Sequence, residues 1–402
     1  MGSRSARSDA EVTVDGTPVG TVVRPRNTDE VAEQVRKAVA ADLSIVVSGA
    51  TTTLTWGRPP ESADLLIDTT AMDTVIHHEA GDLVVKTQAG VLLADLQRQL
   101  SDAGQRLALD PVVPGGTIGG TIATGLSGPL RLSHGSVRDL LIGVTFVRAD
   151  GVVAKAGGTV VKNVAGYDLA KLFCGSWGTL GIVTEAVFRL HPITAAHSWV
   201  TLDATDPAAA QRAVDATIHS TLIPAAIEYD RSGAGGPVRI SVLLEGIEDG
   251  VEARTAALCG LLDDDTSTSG SAPDWWGVLP GEGGTLLRLT HEISALATML
   301  DAVAAGERES GLTCPVRGSA AGVGYAVLPS GSESAAVVGL VDVLRAGADR
   351  WGGQVVVLDA PAATKAALDV WGPVRGLDLM RQVKEQFDPD RRLAPGRFAG
   401  GI

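Results

Sequence analysis

Cysteine is scarce in this chain of 402 residues: Cys174, Cys259 and Cys314 stand far apart, none in a C-x-x-C pair. A disulfide scaffold is excluded, and no set of Cys ligands for zinc or an iron–sulfur cluster can be assembled from the chain alone. Any metal redox relay must then sit in another protein. Long apolar runs are also missing. Hydrophobic residues make up 45% of the chain, yet Gly, Asp or Arg interrupts each run short of the ~20 residues that a membrane-spanning helix needs. There is no basic excess either: 33 Lys and Arg against 47 Asp and Glu leave a formal charge of −14, which disfavours nucleic acid and anionic membrane surfaces as partners. The first residues, MGSRSARSDAEVTVDG, lack the continuous apolar core that secretory export requires, so a cytoplasmic protein is expected, membrane-associated only through partners. Common catalytic signatures are missing as well. The chain has no G-x-S-x-G elbow, no HExxH pair, no GK[ST] loop and no G-x-G-x-x-G fingerprint, the last broken by Val113.

What the chain does have is glycine. The 49 glycines are about twice the usual ~7% share and cluster in the first half without a collagen period. Residues 1–17 read as a frayed tail. Asn27 followed by Glu30 resembles a capping box, and Val31, Val35, Val39 and Leu43 recur at helical spacing up to a short buried strand, Ile45 to Val47. Leu65 to Ile67 give another strand. A second lobe opens with the strand DLVVKTQAG and a helix carrying Leu92, Leu93, Leu96 and Leu100; two strands then meet at Asp150-Gly151, and a further strand runs from Ile182 to Leu190. From about 195 to 370, Ala-rich helical stretches alternate with strand-like runs such as VRISVLLEG and QVVVLDA, implying an antiparallel or mixed sheet. The segments 232–236 and 263–274 read as surface loops. A last helix is stopped by Pro389 and followed by an extended segment.

The segment PGGTIGGTIATGLSG, 114–128, is the most informative. Its glycines and small residues would let backbone N–H groups approach a diphosphate without Cβ interference, although a plain flexible loop is the alternative. Three further segments, SGATTTL (48–54), KNVAGYDLAKLFCGSWGTLGIVTE (162–185) and KEQFDPDRRLAPGR (384–397), stand in the same chain order as counterparts in other proteins. Together they resemble the FAD-binding, PCMH-type enzymes of the vanillyl-alcohol oxidase and p-cresol methylhydroxylase superfamily. The pairing of LSGP with GSVRD and VKNVAGYDL is most similar to the FAD-binding subunit of glycolate oxidase.

That resemblance implies an α+β fold: a two-lobed FAD-binding domain over 18–192, with lobes at about 18–72 and 73–192, an α/β cap domain over 193–370, and a segment over 371–402 returning to the FAD domain. By position it implies FAD contacts from Ser48, Gly49, Ala50, Thr51 and Thr52 on one side of the diphosphate. Pro114, Gly115, Gly116, Gly119, Gly120, Thr124, Gly125 and Ser127 would line the other side. Gly181, Ile182 and Val183 would meet the adenine or flavin edges, plain strand core being the alternative for the last two. Many relatives tether the flavin through a His in the first loop; SGATTT has none, so noncovalent FAD is expected. Their cap-domain HxGDGNxH-like metal motif is missing, and Ala394 stands where an Asn is usual.

Oxidising a 2-hydroxy acid to a 2-oxo acid needs a base and cations for the carboxylate. His134 is the one candidate base, with a structural histidine as its alternative. Arg131, Arg317 and Arg397 are candidate carboxylate partners, or structural arginines. His77-His78 read as a solvated loop pair rather than a metal site, and Cys174 as a small buried hydrophobe rather than a redox thiol. The expectation is an FAD subunit of a glycolate-oxidase-type complex with a second flavoprotein and an iron–sulfur subunit. A free-standing dehydrogenase, or an electron-transfer or assembly subunit without its own substrate, are the alternatives.

Overall fold

The computed structural model describes residues 12–158, 169–233, 235–262, 265–281 and 283–402. In the first lobe, strands Thr17–Val23 and Ile45–Ser48 both pair in parallel with Ala63–Asp68, and Thr13–Val14 extends the edge. A parallel pairing needs a crossover, which the helix Thr28–Ala40 supplies. Its start is as the sequence predicts: Asn27 Oδ1 accepts from the Glu30 N–H at 2.9 Å, and the Glu30 carboxylate accepts from the Arg26 N–H at 2.8 Å. Val31, Ala32, Val35 and Ala38 then face the sheet.

The second lobe is a five-stranded antiparallel sheet in the order Val75–Glu79, Val84–Gln88, Ile182–Arg189, Leu141–Val147, Val153–Gly157. The helix Leu93–Ser101 buries Leu93, Leu96 and Leu100 against it. At the Asp150-Gly151 turn only Gly151 takes positive φ, +79°. His77 and His78 are not in a loop: they lie in the edge strand Val75–Glu79, where His77 pairs with Glu79 at 2.6 Å and His78 with Gln105 at 2.9 Å. The glycine-rich stretch is also more ordered than its composition implies, because Ile118–Thr124 is a helix capped by Thr117. Gly119 sits in that helix because a Cβ there would stand 3.1 Å from Ala89. Close packing selects glycine at that position. Cys174 is half-buried and packs against the lobe's core. The family-like KNVAGYD residues, 162–168, lie outside the described residues.

Beyond residue 195 the chain builds one eight-stranded, wholly antiparallel sheet. Its order is Thr266–Ser269, Ala196–Ala204, Val238–Gly246, Ala226–Arg231, Val316–Ser319, Val323–Leu328, Thr285–Thr290, Gln354–Asp359. The segment 263–274, read from sequence as loop, thus contributes an edge strand of polar residues, TSTS. Helices Pro207–Ile218, Leu296–Ser310 and Ser334–Gly347 bury Val214, Leu300 and Leu340 in the core under this sheet. Ala226 and Leu243 instead join the core of the second lobe, so the opposite face of the sheet is turned to the first half of the chain. Among the described residues, no helix is long and apolar enough to cross a membrane.

After the helix Leu377–Phe387 the chain returns to the first lobe. Leu393 forms a parallel bridge with Ile45, held by Ile45 N–H to Arg392 O and Ala394 N–H to Ile45 O, both 2.8 Å. Lys384 and Asp388 anchor the return. The buried ammonium donates to Asp388 at 2.6 Å, to Thr179 O at 2.8 Å and to Leu393 O at 3.0 Å, which uses all three of its donors.

Candidate functional site

A cleft of about 1080 Å³, counted with the solvent in its mouth, is walled by residues from 47–54, 110–126 and 173–183, and by Arg397. Of the positions singled out from sequence, the structure brings together Ser48, Gly49, Ala50, Thr51, Thr52, Gly116, Gly119, Gly120, Thr124, Gly181, Ile182 and Val183 on its wall. It does not bring Pro114, Gly115, Gly125 or Ser127 to that wall. Gly115 turns the chain into the helix at φ +74°, and Gly125 ends the helix at φ +68°, where a Cβ would stand 3.2 Å from the Gly175 nitrogen. Ser127 Oγ accepts from the Val137 N–H at 2.9 Å. The Thr124 hydroxyl is spent on Gly120 O at 2.9 Å within its own helix.

The loops fit together only because of their small residues. A Cβ on Gly49 would stand 2.2 Å from Thr117 Oγ1, so glycine alone lets the 48–54 loop close on the helix start. Gly120 differs: its Cβ would meet nothing nearer than Thr117 Oγ1 at 3.3 Å, so the position is tolerable to the fold and opens toward the cleft. Thr51 and Trp177, both on the wall, hold φ of +61° and +57°. Left-handed backbone at a non-glycine residue costs roughly 1–2 kcal/mol, and such strain gathers at ligand-binding loops.

Charge is sparse. Among the described residues lining the cleft, Asp110 and Arg397 carry it. Burial pushes the Asp110 carboxyl up to about 6, against the Leu130 N–H that donates to it at 2.9 Å. Burial pulls the Arg397 guanidinium down to about 10, with Asp15 opposing. Arg397 donates to the carbonyls of Leu54 and Trp56 at 2.5 and 3.3 Å, while its buried Nε has no partner. It serves the cleft loops, as a holder of the 53–56 backbone. A wall of loop backbone, hydroxyls and glycines suits an extended diphosphate ligand. Sequence reasoning missed Thr117, Thr121, Asp110 and Trp177, whose place on the wall comes from chain reversals far apart in sequence.

A second, smaller cavity of about 320 Å³ adjoins the first, sharing Val112. Ser127, Gly128 and Pro129 form one side, and the strand residues Glu228, Arg317, Ser319 and Tyr325 the other. Glu228 is 3% exposed and its Oε1 has no hydrogen-bond partner. Burial, and then the charge of Asp110, push its carboxyl up to about 8. The strand Ala226–Arg231 reads AIEYDR, and its alternation puts Glu228 on the face it shares with Ala226 and Asp230. Arg317 pairs with Asp230 at 2.7 Å and donates to the carbonyls of Val278 and Leu279.

His134 lines neither cavity. Its ring stands edge-on to His191 at 4.5 Å, and Nδ1 meets Ser133 Oγ at 2.7 Å. Burial, then Arg106, hold its pKa below the usual histidine value. No group of three or more His, Cys, Asp or Glu able to hold a metal occurs among the described residues.

The two lobes, the cleft between their loops and the antiparallel sheet beyond define an FAD-binding protein of the PCMH-type fold. Residues 19–157 match the family described as FAD binding domain; the chain carries that domain and its cofactor is FAD. Among curated relatives, the glycolate oxidase subunit GlcE of Escherichia coli is 36% identical over 162 residues, 40% of this chain and 46% of that protein. The subunit GlcD of Bacillus subtilis is 34% identical over 209 residues, 52% of this chain and 44% of that protein. The chain thus matches less than half the length of these relatives. An FAD-linked oxidoreductase of Mycobacterium tuberculosis is 26% identical over 431 residues, 98% of this chain and 93% of that protein. The solved structure of an alkyldihydroxyacetonephosphate synthase superposes with a TM-score of 0.72 at 19% identity, over 94% of this chain and 76% of that one, which speaks to the fold.

Proposed function

We propose that this chain is an FAD-dependent oxidoreductase subunit that takes part in oxidising a 2-hydroxy acid to a 2-oxo acid within a glycolate-oxidase-type complex. The observation that carries this reading is the cleft wall: family-like segments 48–54, 114–128 and 176–183, distant in sequence, converge on one cavity. FAD would lie with its diphosphate between the 48–52 loop and the 116–121 helix start, and would supply hydride acceptance from the substrate carbon. The chain's part is to hold that cofactor and exclude water. Noncovalent attachment is the reading that the wall supports, since its described residues include no His, Cys or Tyr. A second flavoprotein and an iron–sulfur subunit would provide the onward electron path, since this chain has only three dispersed cysteines.

A free-standing dehydrogenase is the second reading, favoured by the near full-length similarity to the mycobacterial FAD-linked oxidoreductase. Anaerobic mixing with glycolate or D-lactate separates the two. The subunit reading expects little flavin bleaching by the lone chain and bleaching once the partner subunits are added. Rapid, saturable bleaching of the lone chain would select the free-standing enzyme.

A further inference from the structure

We propose that Lys365 is a positioning residue for the cofactor: from the second half of the chain it fixes the back of the cleft loop 50–56 through the Thr55 carbonyl, so that retention of FAD depends on that half staying docked. The proposal rests on the reading above that the FAD diphosphate lies against this loop, and it adds the device that holds the loop in shape.

The loop has few bonds of its own. After the strand Ile45–Ser48 it makes two overlapping turns, Leu54 N–H to Thr51 O at 3.1 Å and Trp56 N–H to Thr53 O at 3.2 Å. The N–H groups of Ala50, Thr51, Thr52 and Thr53 have no hydrogen-bond partner among the described residues, and all four residues line the cleft. Thr51 holds φ +61°, a backbone that a β-branched residue rarely adopts. Such a conformation persists only where its surroundings over-determine it. Here the surroundings act on the carbonyls. Arg397 reaches the Thr53, Leu54 and Trp56 oxygens at 3.5, 2.5 and 3.3 Å, and the Lys365 ammonium, 310 residues beyond Thr55, donates to Thr55 O. Four successive carbonyls are thus held by two distant cations.

The Lys365 side chain is 2% exposed and spends its other two donors on Asp15 and Asp359, both at 2.8 Å. Asp359 also accepts from the Thr55 hydroxyl at 2.9 Å, so Thr55 is gripped by its carbonyl and by its side chain. Asp15 follows the first strand, Thr13–Val14; Asp359 ends the edge strand Gln354–Asp359; Lys365 lies in the helix Ala362–Ala367. The same edge strand takes the end of the loop, through Gly57 N–H to Leu358 O at 2.7 Å. The latch therefore joins the start of the chain, the cleft loop and the eight-stranded sheet at one buried ammonium. A loop already held in its binding shape pays no ordering cost when an anion arrives, and that is what the latch supplies to the diphosphate.

The test is equilibrium dialysis of the flavin-stripped full chain against FAD and, separately, against riboflavin, which carries the ring without the diphosphate; near-UV circular dichroism checks that each variant is folded. Lys365→Met removes the ammonium and fills its space, while Asp15 and Asp359, 13% and 30% exposed, stay within reach of water, so the fold is expected to survive. FAD affinity should fall about 10-fold or more, the scale of a lost hydrogen bond to a charged group, with riboflavin affinity unchanged within about 3-fold. Thr55 is exposed and outside the cleft lining; Thr55→Val, which cuts its bond to Asp359 and leaves the buried ammonium in place, should weaken FAD about 3-fold. A preference for FAD over riboflavin that Lys365→Met leaves intact overturns the latch, and so do equal losses for both ligands, which mark general loosening. A Lys365→Met chain that fails to fold leaves the decision to Thr55→Val, where an unchanged FAD affinity overturns the latch. An unaltered chain that holds FAD no more tightly than riboflavin overturns the placement of the diphosphate, and the latch with it.

Discussion

Replacing Lys384 by Met isolates the clamp that returns the C-terminus to the FAD lobes. The Lys384 side chain is 3% exposed and that of Asp388 fully buried. Burial alone pulls the Lys384 ammonium below its ordinary pKa, and the Asp388 charge opposes that pull, so each ion depends on the other. Met fills similar space but leaves Asp388 as a buried carboxylate, with only the N–H groups of Arg392 and Leu393, at 3.0 and 2.8 Å, to stabilise it. It also strips the Thr179 and Leu393 carbonyls of a donor. Breaking a buried pair from one side typically costs about 3–5 kcal/mol. The Asp388→Asn change keeps an acceptor for one backbone N–H and removes the stranded charge, so it should damage the Lys384→Met background less than the unaltered chain. Urea unfolding of the four proteins, each saturated with FAD so that ligand linkage is equal, gives the coupling directly. A Lys384→Met cost under about 1 kcal/mol, or full additivity of the two changes, would refute the reasoning, because either result means the ions do not support each other.

Two further outcomes follow from local backbone and titration. Ala394 holds φ +45° while 2% exposed; Ala394→Gly should stabilise the chain by about 0.5–1 kcal/mol in the same urea assay, the left-handed penalty less glycine's extra unfolded entropy, and a loss of stability would contradict it. For Glu228, a folded pKa of about 8 against an unfolded value of about 4.3 means the folded chain holds one more proton across that window. Stability from this group is therefore complete below about pH 4.3 and falls as pH rises toward 8, by up to about 1.4 kcal/mol per unit. Asp110 has the same sign but finishes near pH 6, so Glu228→Gln should flatten the slope between pH 6 and 8, and an unchanged slope there would place the titration elsewhere.

Much of the fold was legible because local chemistry and tertiary demand agree in it. The Asn27–Glu30 cap, the Val31 and Val35 face, the Leu93, Leu96 and Leu100 stripe and the Asp150-Gly151 turn all formed as read. The exceptions share a cause. In the glycine-rich stretch, composition says flexible, while the space left beside Ala89 says close-packed helix. The polar run TSTS looks like loop until a neighbouring strand offers it an edge. The cleft was readable through its glycines and hydroxyls, whereas Asp110, Trp177 and Glu228 carry no motif. Their roles come from which strands and loops the topology sets face to face, and in AIEYDR nothing separates Glu228 from the neighbouring Asp230 and Arg231.

Cradling of FAD by 48–54 and 116–124 without a covalent bond is what the proposed function requires of this chain. It is tested most directly by measuring flavin per chain, and its release by acid, for the unaltered protein and for Gly120→Val. Gly120 lies in the helix Ile118–Thr124 without positive φ, and its Cβ would meet only the Thr117 hydroxyl, at 3.3 Å, a side chain able to give by a few tenths of an ångström, so valine should leave the chain folded at a helix-propensity cost within about 1 kcal/mol, yet occupy the cradle. The unaltered protein is expected to be yellow and to yield its flavin to the acid supernatant as FAD, and Gly120→Val to be folded and colourless. Flavin retained in the acid pellet, or a folded variant with stoichiometric FAD, would contradict it.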